Sequence, residues 1–129
     1  MNKILVEVSV GELLDKISIL EIKLDKIKDN EKLKFIKDEY NILKKEFDEN
    51  VNKDKKIDEL FKSLKDINLK LWVIEDDKRQ CEKDKDFGEK FIKLSRNVHF
   101  LNDDRAKIKL EINNHTGSAI KEIKEYTSY

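Results

Sequence analysis

Three of the 28 basic residues in this chain are arginine: Arg79, Arg96 and Arg105. The rest are lysine, so an arginine marks a place for what only guanidinium offers, a planar fork of donors for carboxylate or phosphate and a flat face for an aromatic ring. Arg79 follows Trp72, the only tryptophan, by seven residues. Arg105 falls on a position that the heptad pattern otherwise gives to apolar residues. Between residues 57 and 84, Asn68, Trp72, Glu75 and Arg79 succeed one another at helical spacing and form one stripe beside the apolar seam. Glu75 and Arg79 stand four apart, in the order that favours an ion pair. Amide, indole, carboxylate and guanidinium on one stripe could line a pocket for a polar ligand. The plainer reading is a covered tryptophan beside a surface salt bridge.

Arg105 is the sharper case. A guanidinium on a core-facing position must be paired or lie near a bundle end. The acids Glu75, Asp76, Asp77 and Glu82 are the expected partners, giving a buried pair that fixes helix register. The other expectation is that Arg79 and Arg105 jointly receive a phosphorylated or carboxylated metabolite. Asn68, Trp72, Glu75, Arg79 and Arg105 are therefore the candidate ligand-binding residues. His99 and Asp103 are spaced for a hydrogen bond on the outer face of the last helix, which also carries Arg96. Glu75-Asp76-Asp77 and Asp103-Asp104 offer oxygen ligands of the kind Mg²⁺ takes, but they lack the paired Glu-x-x-Glu and Glu-x-x-Asp spacing of helical pyrophosphohydrolases. No glycine-rich phosphate loop, nucleophile elbow or zinc motif is present. No metal or cofactor is expected, no catalytic residue is assigned, and enzymatic activity stays open.

These residues need long helices to position them. Charged residues make up 43% of the chain, there is no proline, and the formal net charge is zero. With periodic apolar residues, that composition predicts an all-α fold with solvated outer faces. Neutral balance argues against nucleic-acid binding. No apolar run approaches the length of a membrane span, and the patch Ile4-Leu5-Val6 is too short for a signal peptide. A single cysteine, Cys81, fits a reducing compartment, so a cytoplasmic location is expected.

The chain reads as one domain over 1–129, with an extended arm (1–8), a helical body (9–117) and a tail (118–129). Ser9 and Glu12 have capping-box spacing at the start of the first helix. Its stripe is Val10, Leu13, Ile17, Leu20, Leu24, Ile27. The stripe resumes two residues out of phase at Leu33, Ile36, Tyr40, Leu43, Phe47, which places a turn near Asp29-Asn30; one kinked helix is the alternative. A polar loop covers 49–54. The third seam is Ile57, Leu60, Leu64, Ile67, Leu71, Ile74, then Lys78 and Cys81. Asp86 and Glu89 are again spaced as a capping box. The last seam is Phe91, Leu94, Val98, Leu101, Arg105, Ile108, Ile112, with Gly117 as a left-handed cap. Four such seams are best buried in an antiparallel bundle built of two coiled-coil-like hairpins. Apolar surface left over by each hairpin predicts a homodimer.

The segments Ile4–Lys23, Leu71–Asp77, Asn102–Arg105, Glu111–Asn113 and Gly117-Ser118 resemble a family of short, uncharacterised bacterial proteins. Its members are often found near, or fused to, glycosyltransferases of surface-polysaccharide assembly. The resemblance spans nearly the whole chain and carries no assigned activity. It implies a bacterial glycan-assembly setting, with a glycosyltransferase or related enzyme as partner, and places arm and tail within the domain. The expected function is a protein-interaction module; the alternative is a binder or enzyme of an anionic metabolite at Arg79 and Arg105.

Overall fold

The structure, a computed structural model, describes residues 2–129. Four helices follow in order: α1 (Val10–Lys26), α2 (Asn30–Asn50), α3 (Lys55–Asp84) and α4 (Glu89–Thr116). Among the described residues there is no strand. No helix among them is long and apolar enough to cross a membrane.

Local signals set the boundaries. Ser9 Oγ accepts from the Glu12 amide at 3.1 Å and starts α1. The Glu12 side chain does not complete the expected capping box, because it is drawn to Lys109 on α4. Asp29 caps α2 through the Lys32 amide at 3.0 Å, so α1 and α2 are separate helices. α2 then runs to Asn50, into the segment expected to be loop. Asp54 caps α3 through the Ile57 amide at 2.8 Å. Between α3 and α4 the expected box fails again. Lys85 takes the left-handed conformation that ends α3, Asp86 Oδ1 accepts from the Gly88 amide in a local turn, and Gly88 stands at the cap of α4 with no side-chain bond. Gly117, at φ 65°, ends α4 as its sequence position predicts.

α1 is the hub: its backbone runs close to those of α2, α3 and α4, while the α2 backbone comes close to that of α1 alone. Links from Gly11 to Asn113 and from Asp15 to Arg105 run α1 antiparallel to α4. Core positions Leu14, Ile17, Phe47, Ile57, Leu64 and Ile112 are buried together. The α2 stripe from Leu33 to Phe47 turns inward, with Tyr40, Leu43 and Phe47 against this core. His115 on α4 meets Asp54 at the start of α3 at 2.7 Å and ties off that end of the α3–α4 hairpin. At 30 residues α3 spans about 45 Å and α1, at 17, about 26 Å, so the hairpin outruns its cover. Cys81 nevertheless stays buried, as a small residue of the α3 seam.

Candidate functional site

A helix in contact with three others must bury more than one stripe. On α1 the second buried face is Gly11, Asp15, Ser18 and Ile22, at steps of four, three and four. Its first residue lets two backbones meet. A Cβ at Gly11 would stand 2.5 Å from the Lys109 carbonyl oxygen, so only glycine fits without a shift. The close approach supplies the α1 amides with partners from the far end of the chain. Gly11 N donates to Asn113 Oδ1 at 2.7 Å and Val10 N to Ser118 Oγ at 3.1 Å. Orphan donors of a buried helix start are thereby satisfied.

Asp15 lies next along this face, 1% exposed. Arg105 grips it in bidentate fashion: Nε donates to Oδ1 at 2.9 Å and Nη2 to Oδ2. Asn68 Nδ2 donates to the same Oδ1 at 2.9 Å and to Ser18 Oγ at 2.8 Å, and Ser18 Oγ donates to the Asp15 carbonyl at 2.7 Å. Lys109 Nζ stands 4.0 Å from Asp15 and bonds Glu12 at 2.6 Å and the tail's Glu122 at 3.1 Å. Burial alone would push the Asp15 carboxyl up, but the Arg105 and Asn68 hydrogen bonds and the charges of Arg105 and Lys109 outweigh it, holding it below the ordinary range. Asp15 in turn raises Arg105. For Lys109 burial works toward neutrality and the Glu12 and Glu122 bonds overcome it. Glu122 is held low by its bonds to Lys109 and Lys124. Both cations are thus charged and paired.

The expectation for Arg105 is corrected here: its partner is Asp15 on α1, not Glu75, Asp76, Asp77 or Glu82 on α3. Its seam position faces α1, whose own acid is the buried one, whereas Glu75 and Asp76 point to solvent. Asn68, Trp72, Glu75 and Arg105 line one shallow cavity of about 300 Å³, together with Ile22 and Asn102. Arg79 is not among its walls. It bonds Glu75 at 3.0 Å on the exposed surface. The anticipated His99–Asp103 bond does not form: Asp103 accepts from the Tyr129 hydroxyl, and the His99 ring lies 4.2 Å from Phe100 and 5.3 Å from Tyr129. Arg96, exposed, sits 5.8 Å from the Phe100 ring. Among the described residues no three His, Cys, Asp or Glu side chains are placed to hold a metal ion.

Asp15, Ser18, Lys109 and Asn113 escaped the sequence reading. The signal was present in the Gly-Asp-Ser spacing of α1, but none of these residues is apolar, and an apolar stripe does not mark a polar face beside it.

The site therefore defines a helical bundle locked by a buried polar layer between its first helix and its last hairpin. Over residues 4–129 the chain matches the family described as "Family of unknown function (DUF6165)", and it belongs to that family. No curated protein and no solved structure matches it.

Proposed function

We propose that this chain is a protein-interaction module: a bacterial, cytoplasmic helical bundle that pairs with a second copy and docks on an enzyme of surface-glycan assembly. The observation that carries the reading is apolar surface left exposed among the described residues. On the α3–α4 hairpin, Leu69, Val73, Ile74, Phe100 and Leu101 surround a groove of about 740 Å³, with Leu69 36% and Val73 48% exposed. Ile4, Leu5 and Val6 before α1 and Phe35 and Ile42 on α2 are more exposed still. An exposed apolar groove such as that of the α3–α4 hairpin marks an interaction site. The glycan-assembly partner rests on the resemblance described above.

Light scattering on the full chain tests the pairing. The wild type is expected at dimer mass, and Leu69→Asp with Val73→Asp at monomer mass with unchanged helicity. A wild type that stays monomeric as concentration rises sinks the homodimer.

The runner-up reading is a binder or enzyme of an anionic metabolite. In its favour, Arg105, Asn68, Trp72 and Glu75 share a cavity. Against it, Arg105 is committed to Asp15 and Arg79 to Glu75. Phosphate or dicarboxylate raising the melting temperature in an Arg105-dependent way would favour this reading over the first.

A further inference from the structure

The tail after Gly117 carries no helix, yet it is fastened along its length. Ser118 Oγ accepts from the Val10 amide, Glu122 takes the Lys109 ammonium, and the Tyr129 hydroxyl donates to Asp103. The Tyr129 ring stands edge-on to His99 and Phe100, with centroids 5.3 and 5.5 Å away. Held this way, the tail forms the outer wall of a cavity of about 770 Å³ against α1 and α4. That volume is in the ordinary range for small-ligand sites.

The lining decides what the cavity can take. Its cations are Arg105, Lys109 and Lys124, and its acids are Glu12, Asp103 and Glu122. The signs balance, and each cation is already paired: Arg105 with Asp15, Lys109 with Glu12 and Glu122, and Lys124 with Glu122 at 3.1 Å. An anion would have to compete with a carboxylate at each cation, and a cation with the Tyr129 hydroxyl at Asp103, the one acid of the lining that has no cation partner among the described residues. A neutral ligand displaces neither. Carboxylates in an ion pair still have lone pairs free to accept from hydroxyls, and ammonium and amide groups still have protons to donate. Asn102 contributes an amide whose oxygen accepts a long 3.5 Å bond from Arg105. Around these polar groups stand the rings of His99, Tyr126 and Tyr129, which offer apolar faces beside polar edges.

We infer that this cavity is a binding site for a neutral polyhydroxylated ligand, a sugar whose hydroxyls bond the paired charges and whose apolar face lies on the tail tyrosines. The tail is half of the site, so bound sugar also holds the tail down.

Saturation-transfer NMR on the full chain tests this with neutral mono- and disaccharides, and with a uronic acid and a sugar phosphate as charged counterparts. The neutral sugars are expected to receive transfer and the charged ones less. Tyr126→Ala with Tyr129→Ala is expected to weaken binding by roughly two- to tenfold. Both tyrosines are exposed, at 71% and 79%, so helicity should not change. Amides of 119–129 are expected to exchange more slowly with sugar present. No transfer to any neutral sugar, transfer indifferent to the loss of both rings, or preference for the charged counterparts overturns the assignment.

Discussion

Replacing Arg105 with methionine asks the buried pair to show its worth. The substitution keeps an unbranched stem and removes the guanidinium. Asp15, with a side chain 2% exposed, is left with the Asn68 amide at 2.9 Å and the Lys109 ammonium at 4.0 Å. Breaking a buried pair from one side costs about 3–5 kcal/mol, because the remaining charge has neither water nor partner. Lys109 places this case at the lower end, about 3 kcal/mol. Asp15→Asn from the other side costs less, about 1–3 kcal/mol, since Arg105 is 28% exposed and can turn its donors to water. The double variant, which removes both members of the pair and leaves the Lys109 ammonium with Glu12 and Glu122, should cost well below the sum of the singles.

Urea denaturation followed by circular dichroism measures all four proteins. The pair also fixes an acid dependence. The Asp15 carboxyl lies below its ordinary value of 3.8 in the folded chain, so its contribution is complete above that value and disappears as pH falls through the depressed one. In Arg105→Met burial acts without the main opposing donor, so the gap between wild type and variant should close in acid. An Arg105→Met cost under about 1 kcal/mol, or a double variant equal to the sum of the singles, refutes the coupling.

Other outcomes follow from the same geometry. Gly11→Ala should destabilise by about 1–3 kcal/mol, read as a lower melting temperature, because its Cβ meets the Lys109 carbonyl oxygen at 2.5 Å. Arg79→Ala should change stability by about 0.5 kcal/mol or less in the same melts, as its bond to Glu75 lies in solvent. Leu64→Ala, at a fully buried position, should cost about 2–5 kcal/mol in urea titrations. Cys81, 2% exposed, should react with a thiol reagent only as fast as the hairpin opens, and denaturant should release the reaction.

What could be read from the sequence was whatever apolar spacing encodes. The shift of register after Ile27 located the α1–α2 break, and Asp29 proved to be the cap. The α2 stripe and Gly117 were equally plain. What escaped was set by contact between distant segments. Glu12 has the spacing of a capping box, yet the Lys109 ammonium competes for its carboxylate. Asp86 and Glu89 have it too, yet a left-handed Lys85 moves the helix start to Gly88. Arg105 stood out as a charge in a seam, but its partner was sought among the acids of α3, because α1 showed its apolar stripe and hid its polar one. Trp72 and Asn68 were placed on one stripe correctly; that Asn68 serves Asp15 while Arg79 stays outside depends on how far α1 reaches along the hairpin.

The polar layer also bears on why widely separated segments stand out together. Ser9 to Asp15 and Asn113 to Ser118 are far apart in the chain and adjacent in space, joined by bonds from Val10 and Gly11 to Ser118 and Asn113. A layer of this kind adds little net stability over an apolar one. What it does add is a single allowed register: sliding α1 by one turn on the hairpin would strand Asp15 without Arg105 and bring a Cβ where only Gly11 fits. The same register places Lys109 where the tail's Glu122 can reach it. The tail is therefore positioned by the layer, and the proposed sugar site inherits its shape from an ion pair that contributes no free charge to it.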